Sequence, residues 1–453
     1  MTDTNILMKR WFQDNPDITQ IIVGIFDYNG VLRAKRVPVN KLDGLLSSGM
    51  KMPLSIQVLD IFGEDIADSD LVFASGDQDS TARPTGRLPI RLSHLGEPTA
   101  LLIMSFQADT PQDAIISPHE MLGNLAEMQA SQNEPLLLCG VEMEFTLLCP
   151  DQPRPALSLA TGEKATGGQI LSALHLDDYD GLFTAISAFC DSQSIAIDTI
   201  TSEAGEGQFE VTFQPKSHLC ELAEDILIFK YIVKSLAKSF GIKASFMAKP
   251  IEGQPGNGMH IHASLIDRKN GKNLFDEEEY GNRGKMRLQQ AISGLLSSMK
   301  DASLFLAPMM NSYRRLVASS HAPVNICWGE DNRTAAIRVP ASGPQARRLE
   351  MRVAGADANP YFILAWLCGA MHHGMSDQMA PVPPVVGNAY EQPFEQLAGT
   401  MAEALDLAGA SPLLSSLIGA DILRYYVATK TQDYDRFSAH IPPLEFSILS
   451  EQL

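Results

Sequence analysis

Several short segments of this chain place chemistry-capable residues two apart. VEMEF puts Glu142 and Glu144 in an apolar, strand-like run. A strand repeats every two residues, so both carboxylates share one face. Two like charges on an apolar strand repel, and burying them without a partner is costly. A cation between them removes that penalty; a solvated strand face bearing two acids is the alternative reading. GMHIH repeats the pattern with His260 and His262, and imidazole is a common metal ligand. In SEAGEGQFE, Glu203 precedes a glycine-rich turn and Glu210 lies in the strand that follows, so the turn can bring the two together. Glu206, between glycines, reads as a solvated turn residue. His372 and His373 are adjacent on an apolar helix, point in different directions, and read as structural.

RRLEMR sets Arg348, Glu350 and Arg352 on one strand face, with Leu349 and Met351 on the core side. Two guanidiniums flanking a carboxylate suit a site that holds metal and phosphate together, although a salt-bridged surface strand has the same pattern. Upstream lie Arg314 and Arg315 in NSYRRL, and Arg333 and Arg338 in DNRTAAIRVP. Arg333 and Arg338 have opposite parity, so one of them must precede its strand. Arginines gathered between 314 and 352 in an acidic chain point to anion binding. Carboxylates with a histidine suit hard cations such as Mg²⁺ or Mn²⁺. With the arginines they point to phosphoryl transfer from a nucleotide, yet neither a Walker A sequence nor a kinase glycine-rich loop is present.

The elements that must position these residues are legible in outline. Strands are expected at 100–106, 136–148, 207–213, 258–265, 335–340 and 348–354. Helices are expected near 218–240, 285–301, 361–374, 394–408 and 420–430. IIVGIFDYNGVLRAKRV carries Asn29-Gly30 between two β-rich runs, a hairpin signal. SGDQDSTARPTGR (75–87) looks too irregular to form an element. We read residues 1–110 as a small β-rich domain and 111–453 as a larger domain mixing strands and helices. The chain has 453 residues, 45% hydrophobic and 20% charged, with net charge −19. That acidity disfavours non-specific binding to nucleic acid or anionic membrane. The six cysteines sit singly in apolar surroundings, as reduced buried thiols do. No apolar run reaches membrane-spanning length and the first residues lack a signal core, so a cytoplasmic location is expected.

VEMEF, SEAGEGQFE, KPIEGQPGNGMHIHASL, NSYRRL, NRTAAIRVP and RRLEMR occur in the order and approximate spacing of the glutamine synthetase superfamily, from about residue 136 to NPY at Asn359–Tyr361. The resemblance implies an α+β fold: an N-terminal β-grasp domain, then a catalytic domain of antiparallel sheet and helices. It implies ATP, Mg²⁺ or Mn²⁺, and glutamate. One metal site would use Glu144, Glu203 and Glu210, and another Glu142, His260 and Glu350. His262 and Ser264 would lie on the ATP side. Arg338 and Arg348 would hold phosphates, with Arg333 on the phosphoryl group in flight. Arg315 and Arg352 would clamp the glutamate carboxylates beside the Gly256 backbone. The family's sites form between subunits of a ring, often a dodecamer of two hexamers. Asp60, in LDIFGED, is the candidate for an acid donated across that interface, although the segment lacks the family's DGSS pattern.

Three departures from the family pattern stand out. Where glutamine synthetases carry a glutamate that helps bind ammonium, this chain has His321. Pro255 replaces the asparagine before the glycine near the glutamate. VAGADANPY replaces FPDPAANPY, and the YDLP adenylylation stretch is missing. HAPVNICWGEDNRT resembles the γ-glutamyl-amine ligase branch, which includes γ-glutamylpolyamine synthetases. That branch implies a ligase joining the γ-carboxyl of glutamate to a small organic amine through a γ-glutamyl phosphate, with His321 a candidate base. Glutamine synthetase proper, using ammonia, and a non-catalytic family member are the alternatives.

Overall fold

The computed structural model describes residues 3–453 apart from 68, 75, 108–115, 133, 166, 319 and 321. The first strands, β1 (Gln20–Phe26) and β2 (Leu32–Pro38), pair antiparallel across the Asn29-Gly30 turn, where Gly30 takes φ +70, as the dipeptide predicts. They join β3 (Met50–Pro53), β4 (Asp79–Pro84), β5 (Ile90–Arg91) and β6 (Thr99–Phe106) in a sheet of order β2-β1-β6-β4-β3, with β5 also on β6. β4 corrects the expectation that 75–87 forms no element. Its residues are too polar to show a strand period, but β6 pairs with Ala82–Pro84 and β3 with Asp79–Ala82. Pairing partners distant in sequence thus override a weak local pattern. The helix Asp3–Asp14 closes one face of this sheet, with Met8 and Phe12 among its core residues.

The second sheet contains β7 (Leu136–Leu148), β8 (Ile197–Ser202), β9 (Gln208–Lys216), β10 (Lys243–Ser245), β11 (Met259–Ile266), β12 (Trp328–Glu330), β13 (Ile337–Val339) and β14 (Leu349–Met351). Its order is β12-β13-β14-β11-β7-β9-β8, with β10 on β7, and all pairs are antiparallel except β12 with β13. One face buries Val141, Met143, Phe145, Phe209, Val211, Ile261, Leu349 and Met351 in the same core as the helices Leu219–Ser239, Asn282–Ser298 and Pro360–Ser376. The expected helix at 394–408 instead spans Met401–Ala410, because the Thr400 side chain caps it by accepting from the Glu403 amide. The last expected helix extends further, to Ser438. All six cysteines are free and buried. Among the described residues, no helix is long and apolar enough to cross a membrane.

The expected boundary at 110/111 falls outside the described residues. Polar contacts tie the two sheets' surroundings together. Asn359 Nδ2 donates to the carbonyls of Asp27 and Tyr28, both at 3.1 Å. Arg87 reaches the buried acids Glu224 at 3.7 Å and Asp225 at 2.6 Å on the helix Leu219–Ser239.

Candidate active site

The polar face of the second sheet carries the residues singled out by their spacing. Register sets Glu142 opposite His260, Glu144 opposite Glu210, and His262 opposite Glu350. Their neighbours in sequence fill the core on the other side, so strand alternation aims them together. Glu142 Oε1 lies 2.8 Å from His262 Nε2, and its Oε2 lies 3.1 Å from His260 Nδ1. His260 Nδ1 is 3.9 Å from Glu350. Arg348 Nε donates to His262 Nδ1 at 3.2 Å. His262 Nδ1 is therefore the acceptor, and the ring proton sits on Nε2, facing Glu142.

Two sets of donor atoms lie within 4.8 Å of one another: Glu142, His260 and Glu350, and Glu144, Glu210 and His260. The first is the triad expected from the resemblance. The second contains Glu144 and Glu210 of the other expected site, together with His260. Glu203 lies at the end of β8, on the turn leading to β9, close enough to be felt electrostatically. Burial, then the neighbouring Glu144, pushes its carboxyl up to about 7. Burial followed by Glu142, Glu144, Glu203 and Glu350 pushes Glu210 up to about 9. Glu142 goes the other way: burial opposes its charge, but hydrogen bonds to His260 and His262 hold it well below the usual range. Glu350 is also lowered; burial is outweighed by Arg352 and the two histidines.

The arginines divide between the carboxylates and the rim. Arg338, on β13, donates to Glu350 Oε2 at 2.8 Å and also pairs with Asp331. Arg352 pairs with Glu350. β14 is only three residues long, so Arg348 and Arg352 flank it rather than lie in it. Arg333 is exposed in the turn before β13, as its parity required. Buried Arg315 donates to the Val353 carbonyl at 2.6 Å. Gly256 and Gly258 lie beside it. A Cβ at 256 would sit 2.3 Å from the Ala248 oxygen, and one at 258 would sit 2.6 Å from the Arg315 guanidinium. Close approach of the Ala248 carbonyl therefore requires glycine at 256, while a Cβ at 258 would displace the Arg315 guanidinium. Ser264 Oγ donates to the Arg347 carbonyl at 3.1 Å.

Two further candidates remain. His321 lies outside the described residues. Asp60 is wholly buried, and four groups of its own chain occupy its carboxylate: the amides of Phe62 and Glu64, Gln432 Nε2 and Arg436 Nη1, each at 2.9 Å. In this chain Asp60 holds its turn to the helix Ala420–Ser438. Glu206 is half-buried and 3.7 Å from Lys164 rather than simply solvated. Sequence reading also passed over Gln208. The available signal was parity, because 208 and 210 share a strand face.

Five carboxylates with one histidine between them form a hard, oxygen-rich donor set that fits Mg²⁺ or Mn²⁺. The raised carboxyls of Glu203 and Glu210 mark charge that the protein alone leaves uncompensated. A carboxyl raised above its ordinary value of 4.5 stabilises the fold fully below that value and loses the contribution as pH rises through its folded value. The metal-free protein should therefore melt at progressively lower temperature as pH rises through about 7 and towards about 9. Saturating Mg²⁺ should flatten that decline, because bound metal replaces the protons. Melting curves across that range, with and without Mg²⁺, check this; an unchanged slope would contradict it.

The chain matches the family "Glutamine synthetase, catalytic domain" over residues 116–449. It is 30% identical to Gamma-glutamylputrescine synthetase PuuA of Escherichia coli (strain K12) over 449 residues, covering 97% of this chain and 93% of that protein. It is 29% identical to a Glutamine synthetase of Pyrococcus abyssi over 436 residues, covering 94% and 92%. A solved structure described as "GmaS/ADP complex-Conformation 1" shares the fold, with TM-score 0.84, 23% identity and full coverage of both chains. The family match and the first of these relatives show that the chain belongs to the glutamine synthetase family of ATP-dependent ligases.

Proposed function

We propose that this enzyme joins the γ-carboxyl of glutamate to an organic amine through a γ-glutamyl phosphate. The observation that carries the reading is the single sheet face on which Glu142, Glu144, Glu210, His260 and Glu350 meet, rimmed by Arg338, Arg348 and Arg352. On this reading Arg338 and Arg348, with His262 and Ser264, hold the nucleotide phosphates, and Arg333 meets the phosphoryl group in flight. Arg315, Arg352 and the Gly256 backbone hold the acid. Bound Mg²⁺ or Mn²⁺ would supply charge neutralisation at the phosphate oxygens.

The acid's carboxylate oxygen attacks the γ-phosphorus in line, and the bond to ADP breaks. The guanidiniums offset the charge on the transferring group. The amine nitrogen then attacks the acyl carbon, phosphate leaves, and the amine gives up a proton, with His321 as its acceptor. The similarity to a γ-glutamylputrescine synthetase supports an organic amine. The nearly equal similarity to a glutamine synthetase favours ammonia as the second reading. The division into domains 1–110 and 111–453, a dodecameric ring and a cytoplasmic location belong to the same proposal.

The acyl phosphate has a direct test. With glutamate carrying ¹⁸O in its γ-carboxylate, one labelled oxygen should appear in the phosphate released during amide formation. Label retained wholly in the amide would exclude the intermediate.

A further inference from the structure

We infer that Gln208 is a positioning residue that locks the acid-binding loop to the metal face; the inference rests on the function proposed above for what that loop binds. Gln208 opens β9 and is 3% exposed. Its Nε2 donates to the Gly256 carbonyl at 2.9 Å and lies 3.3 Å from both Glu144 Oε2 and Asn257 Oδ1. Its Oε1 accepts from the Gly205 amide at 3.0 Å. One side chain therefore spans three segments: the turn that carries Glu203, the strand that carries Glu144, and the loop that carries Gly256.

Each segment is otherwise well fixed, and Gln208 is a side chain that touches all three. The turn closes through the Glu203 amide on the Gln208 carbonyl at 2.9 Å and the Gln208 amide on the Gly205 carbonyl at 3.0 Å. The loop is pinned at Asn257, which has no exposed surface. Its backbone amide donates to the Ala248 carbonyl, its Nδ2 to the Met247 carbonyl, and its Oδ1 accepts from Thr146. The Gly258 amide donates to Glu144 Oε2 at 2.6 Å. Glu144 Oε2 thus faces two donors, from Gly258 and Gln208, which leaves Oε1 as the oxygen free to meet a cation. A ligand carboxylate oriented in this way binds metal more tightly than one free to rotate. Without the Gln208 amide, Glu144 keeps one orienting donor and the Gly256 carbonyl loses its partner. Metal and acid affinity should both fall, while the nucleotide side, built on Arg338, Arg348 and Ser264, keeps its contacts.

The test is Gln208→Leu, which keeps approximate volume and removes every donor and acceptor, with Gln208→Met as the unbranched second variant. The readouts are Mn²⁺ binding to the substrate-free protein, KM for glutamate, KM for ATP and melting temperature. The expected result is a 10- to 100-fold weaker Mn²⁺ affinity, roughly the scale on which orienting partners act, and a raised KM for glutamate, with KM for ATP within about twofold of wild type. A purely structural role would lower the melting temperature and move both KM values together. Mn²⁺ affinity unchanged in whichever variant folds, or ATP and glutamate KM shifted alike, would overturn the proposal. Weakened Mn²⁺ binding in a protein whose wild type shows no glutamate-dependent turnover would leave Gln208's role standing and remove the functional reading instead.

Discussion

Glu144→Ala and Glu210→Ala should each reduce kcat by roughly 10²- to 10³-fold, the scale on which loss of a group stabilising transition-state charge is felt. Each should also weaken Mg²⁺ or Mn²⁺ binding. The two residues face one another across β7 and β9 and belong with His260 to one group of potential ligand atoms. Burial, and then four other carboxylates, already raise Glu210, so its removal takes an unfavourable acid out of the metal-free protein. Glu210→Ala should therefore melt no lower than wild type without metal, while the rise in melting temperature on adding Mg²⁺ shrinks. That pairing separates loss of a ligand from general damage, which would lower the metal-free melting temperature. Near-normal turnover in either variant would contradict the metal assignment.

The strands that carry the candidate ligands were legible because they are long or closely patterned. LLLCGVEMEFTLL forms β7 over Leu136–Leu148 as expected. The shared faces of Glu142 with Glu144 and of His260 with His262 follow from period two alone. Register was not legible. That Glu142 faces His260 and His262 faces Glu350 depends on pairings between segments more than a hundred or about ninety residues apart. The grouping of Glu144 and Glu210 with His260 inherits that dependence. β4 was missed because its polar residues gain strand structure only from β3 and β6. The contacts of Asp60 were not legible because its partners, Gln432 and Arg436, lie on the helix Ala420–Ser438, far along the chain and unmarked by any local motif. Gln208 shows no charge to attract notice, and its importance comes from three segments that meet only in the folded protein.

The second large effect concerns the amine. Ammonium is small and charged, and a site selecting it needs nearby carboxylates to stabilise that charge. At the position where the resemblance expects a glutamate, this chain carries His321, and imidazole is an acceptor or a cation but never an anion. An organic amine can offset the missing charge contact by burying methylenes at about 0.8 kcal/mol each, so four would contribute roughly 3 kcal/mol, or about two orders of magnitude in kcat/KM. His321→Glu should restore part of the charge contact and raise the relative use of ammonium. The decisive measurement is kcat/KM in the wild-type enzyme, with ATP, Mg²⁺ and glutamate, for ammonium against a series of polyamines, alkylamines and aromatic amines. At least one organic amine should exceed ammonium by roughly 100-fold; a preference for ammonium across the series would contradict this account and make the enzyme a glutamine synthetase in the strict sense.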